Sequence, residues 1–154
     1  MPNIEWFGAR EDEAAYVAKT ETFNAQRSML NVQREDEVRF DLEDRLLEFS
    51  ARIIRLVDAL PNTRAANHLA GQLLRCGTSP YGHHGEVEAA ESRKDFVHKL
   101  KVCLKELKET RRWLRLASKS SMVPPPKMAA ILNETEELIK IFFSSIRTAE
   151  KNAK

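Results

Sequence analysis

Glycine is scarce in this chain, five in 154 residues, aromatic residues make up only 7%, and no run of about 18 apolar residues occurs. Few glycines and aromatics, with apolar positions at helical spacing, point to an all-α protein. The missing apolar run excludes a membrane-spanning helix. Met1 to Arg10 lacks the basic start and apolar h-region of a secretory signal, so the cytoplasm is the expected location. Cysteine is limited to Cys76 and Cys103, both in apolar helical settings, which reads as two free core thiols and no disulfide framework. At this length one respectable core can be buried, so a single main domain is the expectation.

What is present concentrates in residues 92–119. Phe96, Leu100, Cys103, Leu107, Thr110, Leu114 and Ala117 recur at alternating spacings of four and three, the seam of a helix packed in a bundle or coiled coil. Lys101, Lys105, Lys108, Arg112, Arg115 and Lys119 follow the same rhythm two residues out of phase. At about 100° per residue, that offset sets the basic stripe opposite the apolar one. The overall charge is only +2, yet this window holds ten Lys and Arg against three Asp and Glu. An array of cations along one helix can neutralise phosphates and release counterions, giving affinity without sequence readout. The alternative is an ordinary solvated bundle exterior, with Glu106 and Glu109 diluting the patch.

Along the chain, residues 1–38 carry four Lys and Arg against eight Asp and Glu, with Trp6, Phe7, Tyr16 and Phe23 at no sustained period. They read as an acidic arm of uncertain order. A bundle domain over 39–150 follows. Its first helix opens at Asp41 as N-cap and carries Leu42, Leu46, Phe49, Ile53, Leu56 and Leu60, broadened by Leu47, Ile54 and Val57, until Pro61 stops it. Asn62 or Thr63 caps a second helix over about 64–76, which Gly77-Thr78-Ser79-Pro80 interrupts. Ser79-Pro80 is a restart signal for a kinked second half, in which Gly82 and Gly85 allow close approach of another helix. Ser92-x-x-Asp95 resembles a capping box opening the third helix. Pro124-Pro125-Pro126 leads into a fourth over about 126–150, with Ile131, Leu132, Leu138, Ile139, Phe142, Phe143 and Ile146. Four amphipathic helices and short breaks predict an up-down-up-down four-helix bundle with an N-terminal extension.

Two runs, Gln72-Leu73-Leu74-Arg75-Cys76-Gly77-Thr78-Ser79-Pro80 and Glu91-Ser92-Arg93-Lys94-Asp95-Phe96-Val97-His98-Lys99-Leu100, carry a resemblance. With Gly85-Glu86, Leu104-Lys105-Glu106, Glu109-Thr110, Trp113-Leu114, Phe40-Asp41-Leu42, Arg52-Ile53 and Leu60-Pro61, the sequence resembles the four-helix-bundle proteins encoded in intervening sequences of bacterial 23S rRNA genes. The resemblance implies a homo-oligomer, with pentameric rings among relatives. A related group, the accessory variability determinants of diversity-generating retroelements, binds nucleic acid and partners a reverse transcriptase through basic surfaces. His83-His84 stands where the family commonly has Asn and an aromatic, and residues 1–37 extend beyond its core.

Other chemistry is thin. Cys76, Cys103, His83, His84 and His98 invite a metal, but no C-x-x-C or H-x-x-x-H occurs, and Asp95-x-x-His98 lacks the second half of a di-iron site. No metal or other cofactor is expected. Glu86, Glu88 and Glu91 pair more simply with Arg93 or Lys94 than act as acid and base; Thr78 and Ser79 read as capping residues. The expected protein is therefore non-enzymatic, with no catalytic residue. Lys101, Lys105, Lys108, Arg112 and Arg115 are the candidate phosphate contacts. Trp113 either stacks a nucleobase or is buried at a subunit contact, and Phe142 and Phe143, facing adjacent directions, suggest a second packing surface. Structured RNA is one expected partner; a reverse transcriptase or other acidic protein on the same helix is the alternative.

Overall fold

The computed structural model describes residues 22, 24–26 and 42–152, and every regular element among them is helical. The chain divides into two units, Met1–Leu42 and Glu43–Lys154. The expected acidic arm and the Asp41 cap lie outside the described residues, apart from the positions just named. Four helices follow, α1 over 42–58, α2 Arg64–Glu88, α3 Arg93–Lys119 and α4 Pro125–Lys151, all in the second unit but for the first residue of α1.

The apolar spacing of α1 delivers Leu46, Phe49 and Ile53 to a fully buried core. Each such side chain contributes about 1.5–3 kcal/mol relative to exposure. Leu47 and Ile54, the expected broadening of that stripe, instead stand 49% and 45% exposed. Thr63 starts α2 in extended backbone, its hydroxyl accepting from the Ala66 N–H at 3.2 Å.

The expected interruption at Gly77 to Pro80 does not occur: α2 runs unbroken to Glu88 with Pro80 inside it. An interior proline costs one backbone hydrogen bond and about 3 kcal/mol. Here Cys76, Gly77 and Pro80 are all buried on one face, so the lost bond is offset by packing. The Pro80 carbonyl also accepts from Cys103 Sγ at 3.9 Å. Close approach of a neighbouring helix falls at Gly77, where a Cβ would meet Ile53 Cγ2 at 2.8 Å. Gly82 and Gly85, expected to serve that purpose, have nothing within 4 Å.

Ser92 caps α3, its hydroxyl accepting from the Asp95 N–H at 3.1 Å, while the Asp95 carboxylate accepts from the Glu91 N–H. This is the expected box, displaced by one residue on the return side. The seam Leu100, Cys103, Leu107, Thr110, Leu114 and Ala117 is buried throughout, and Phe96 is half-buried. Past Lys119 the Met122 N–H reaches the Ala117 carbonyl and the Ser121 N–H that of Ser118, with Ser121 at φ 56°. That is the Schellman closure of a helix, made without its usual glycine. Pro125 and Pro126 then occupy the first helical positions of α4, where a missing N–H costs nothing.

α3 packs on α2 and on α4. Along α2 and α3, Arg75 pairs with Glu109 and Pro80 meets Cys103. Later residues of one helix thus meet earlier residues of the other. Lys101 to Glu150 and Arg111 to Glu136 show the same antiparallel order for α3 and α4. α1 reaches α4 through the two-pronged contact of Arg45 with Glu134, at 3.1 and 3.2 Å.

Candidate nucleic-acid interface

On α3, the charged residues separate by direction. Asp95 is bonded by Lys99 at 2.8 Å, and the ammonium holds that carboxyl below the usual carboxylate range while its own pKa rises. Glu106 and Glu109 turn sideways to Arg75 of α2, and Trp113 Nε1 donates to Glu109 at 3.4 Å. Glu106 is only 12% exposed at its side chain. Both acids expected to dilute the basic patch are thus committed to the α2 flank. On the α4 flank Arg111 is held by both oxygens of Glu136 at 3.0 Å.

The outward direction carries Lys101, Lys105, Lys108, Arg112, Arg115 and Lys119, all exposed. Lys101 pairs with Glu150 at 2.7 Å across α4. Among the described residues Lys105, Lys108, Arg112, Arg115 and Lys119 have no ion-pair partner, and successive members stand about 4.5–6 Å apart along the axis. They border two shallow grooves. One runs past Leu104, Lys105, Lys108 and Arg112, with the Arg75-paired Glu109 on its edge; the other passes between Arg112, Arg115, Lys119 and Leu132. Arg112 is common to both. Such an array, solvated and free to reorient, is suited to several phosphates in succession.

The aromatic candidates do not join this face. The Trp113 ring stands edge-on to His68 of α2 at 5.9 Å and 74°, half-buried on the flank that holds Glu109. Phe142 is fully buried in the chain's own core, so it offers no outer packing surface. Its neighbour Phe143 is 50% exposed with the Arg147 guanidinium 5.9 Å from its ring centre. The expected second packing surface rested on their adjacent directions, about 100° apart, and of the two only Phe143 remains exposed.

The histidines and cysteines also stay apart. His83 bonds within its own helix to Ser79, His84 is buried, and His98 is exposed. Among the described residues no three His, Cys, Asp or Glu gather as metal ligands. Burial pushes the Cys103 thiol up to about 12 and raises that of Cys76, against which the Thr110 hydroxyl works in the opposite sense. Neither thiol is poised as a nucleophile.

Sequence reasoning missed a second basic feature. Arg52 and Arg55 of α1 and Lys127 of α4 surround a recess floored by Leu56, Met122 and Ile131. The residues are far apart in the chain, and no local spacing signals them.

Comparison with known proteins adds three findings. A family model described as 23S rRNA-intervening sequence protein matches residues 40–144. A crystal structure of a protein of unknown function from the S23 ribosomal protein family of Bacteroides thetaiotaomicron VPI-5482 is similar, at 36% identity and a TM-score of 0.65. The match covers 68% of this chain and 97% of that one. No curated protein matches. Among the described residues no helix is long and apolar enough to cross a membrane.

Proposed function

The chain belongs to the 23S rRNA-intervening sequence protein family, and from that footing we propose a non-enzymatic, homo-oligomeric RNA-binding protein. Its helices form an up-down-up-down four-helix bundle, and the outward face of α3 contacts the phosphates of structured RNA. The observation that carries the reading is the partition of charge on α3: its three acids pair with Lys99 and Arg75, while five cations in heptad register have no ion-pair partner among the described residues. A solvated exterior without a polyanionic partner gains nothing from that arrangement, because like charges three and four apart repel. Oligomerisation would repeat the face around a ring and raise avidity for one RNA. Exposed Leu47, Ile54, Leu74, Tyr81 and Phe143 supply apolar area for subunit contacts in the cytoplasm.

The test is RNA affinity as a function of salt for the wild type and for K105E/R112E. The double reversal should weaken binding at least tenfold and flatten the logarithmic salt dependence by roughly two. Unchanged affinity removes the α3 face from the account. Light scattering with and without bulk RNA reports subunit number and RNA association in one measurement.

A second reading has one observation behind it. Leu116 is 48% exposed between Arg112, Arg115 and Lys119, a mixture that also fits an acidic amphipathic segment of a protein partner such as a reverse transcriptase. In that case L116E would abolish the complex, while bulk RNA would leave the scattering mass unchanged.

A further inference from the structure

We propose that the recess between α1, the α3–α4 turn and the start of α4 receives one splayed-out nucleobase and its adjacent phosphate from a single strand lying on the α3 face. The proposal rests on the reading of that face as an RNA surface, and names where a base is held. The recess encloses about 280 Å³, at the small end for ligand sites and adequate for one base. Its floor, Leu56, Met122 and Ile131, is apolar, and the adjoining Val123 is buried, so the wall is fixed by the core. Its rim is cationic: Arg52, Arg55 and Lys127, with no carboxylate among the lining residues. Glu48 holds Arg55 at 2.6 Å, which sets that guanidinium in place, whereas Arg52 and Lys127 have no acidic partner among the described residues.

An apolar floor under a cationic rim matches the two halves of a nucleotide. The base enters the hydrophobic part, where an arginine plane can stack on it, and the phosphate stays at the rim. Side chains must hold that phosphate, because Pro125 and Pro126 remove the N–H donors that the start of α4 would otherwise offer. The groove along Lys105 and Lys108 passes Arg112 into the groove lined by Arg115, Lys119 and Leu132. Leu132 follows Ile131 in α4 and the two point about 100° apart, so a strand following the cations reaches the recess by passing over the first turns of α4.

Ala59, at the exposed end of α1, lines the recess, and A59F fills it without changing charge or entering the core. R52Q/K127Q removes the rim instead. The probes are a labelled oligouridine, whose bases cost little to splay, and an RNA duplex of equal length, whose bases stay paired. Helicity and thermal unfolding of each full-length variant are checked first. A59F and R52Q/K127Q should each weaken oligouridine binding about tenfold, and A59F should leave duplex binding unchanged. Equal loss on both probes with A59F, loss from R52Q/K127Q alone, or no loss from either variant overturns the base-binding recess. The face reading is judged separately by K105E/R112E: if it weakens both probes while A59F is silent, only the recess falls, and if it too is silent, both fall.

Discussion

The substitution Gly77→Ala tests the packing of α1 on α2 most directly. In an open helix interior, replacing Gly with Ala stabilises by about 1 kcal/mol. At position 77 the new methyl would lie 2.8 Å from Ile53 Cγ2, 2.9 Å from Cγ1 and 3.2 Å from Cδ1. Ile53 is fully buried and β-branched, so its first carbons cannot swing away without moving α1. Overpacking of this kind costs about 1–3 kcal/mol, which outweighs the helix-propensity gain and leaves a net loss of about 1 kcal/mol. Gly71, Gly82 and Gly85 have nothing within 4 Å, so the same change there should stabilise. Urea unfolding of the four single variants should give one lowered midpoint and three raised ones, at constant slope. A double-mutant cycle adds a second check. I53A alone should cost about 2–5 kcal/mol, and appreciably less in the G77A background, where the added methyl occupies part of the space. Stabilisation by G77A equal to that of G71A, with no coupling to Ile53, would refute this placement of α1.

Two further predictions concern the ends of α3. Ser121 adopts φ 56° in the closure after the helix, a conformation that costs an L-residue about 1–2 kcal/mol, so S121G should raise the unfolding free energy by about 0.5–1 kcal/mol, net of glycine's greater unfolded-state entropy. No gain would mean the closure is absent. At the other end, Lys99 and then the Glu91 N–H hold the Asp95 carboxyl below its ordinary 3.8. Its contribution is therefore fully present above that value and lost as pH falls through the depressed folded pKa. Wild type and D95N should differ in stability by a constant amount from neutral pH down to about 4 and converge below it. A gap that stays constant into stronger acid would sink the assignment.

The apolar seam of α3 was legible because both of its stripes are periodic over many turns, and every predicted seam residue but the half-buried Phe96 is buried. Pro80 was misread for the opposite reason. A local breaker signal is overridden when neighbouring Cys76 and Gly77 supply tertiary burial, which no window of sequence contains. Phe142 and Phe143 were distinguishable only once the directions of α1 and α3 from α4 were fixed. The recess draws Arg52, Arg55 and Lys127 from segments some 70 residues apart, so only the fold assembles it. Glu106 and Glu109 are the most instructive case: by charge count they weaken the basic patch. By geometry Arg75 engages both, turning Glu106 into the α2 flank, while Glu109 still lines the groove beside Lys105, Lys108 and Arg112.

That partition has an energetic consequence that separates function from solubility. Lys105, Lys108, Arg112, Arg115 and Lys119 make four successive like-charge neighbours at spacings of three and four, each destabilising the free helix by about 0.2–0.5 kcal/mol. The cost is largest at low ionic strength, where screening is weak, and a bound polyanion removes it. K105E/R112E converts four repulsive neighbours into attractive ones, with Glu preceding Lys108 and Arg115 in the favourable order, against the two contacts with Glu109 that turn repulsive. The variant should therefore be more stable than the wild type by about 0.5–1 kcal/mol at low salt, the gap closing as salt rises. RNA affinity should move the other way. Opposite signs for stability and affinity in one variant are the signature of a surface that gives up stability in order to bind. A variant that is less stable at low salt, or equally stable at all salt concentrations, would show that the five cations do not repel one another and that the face is ordinary solvated exterior.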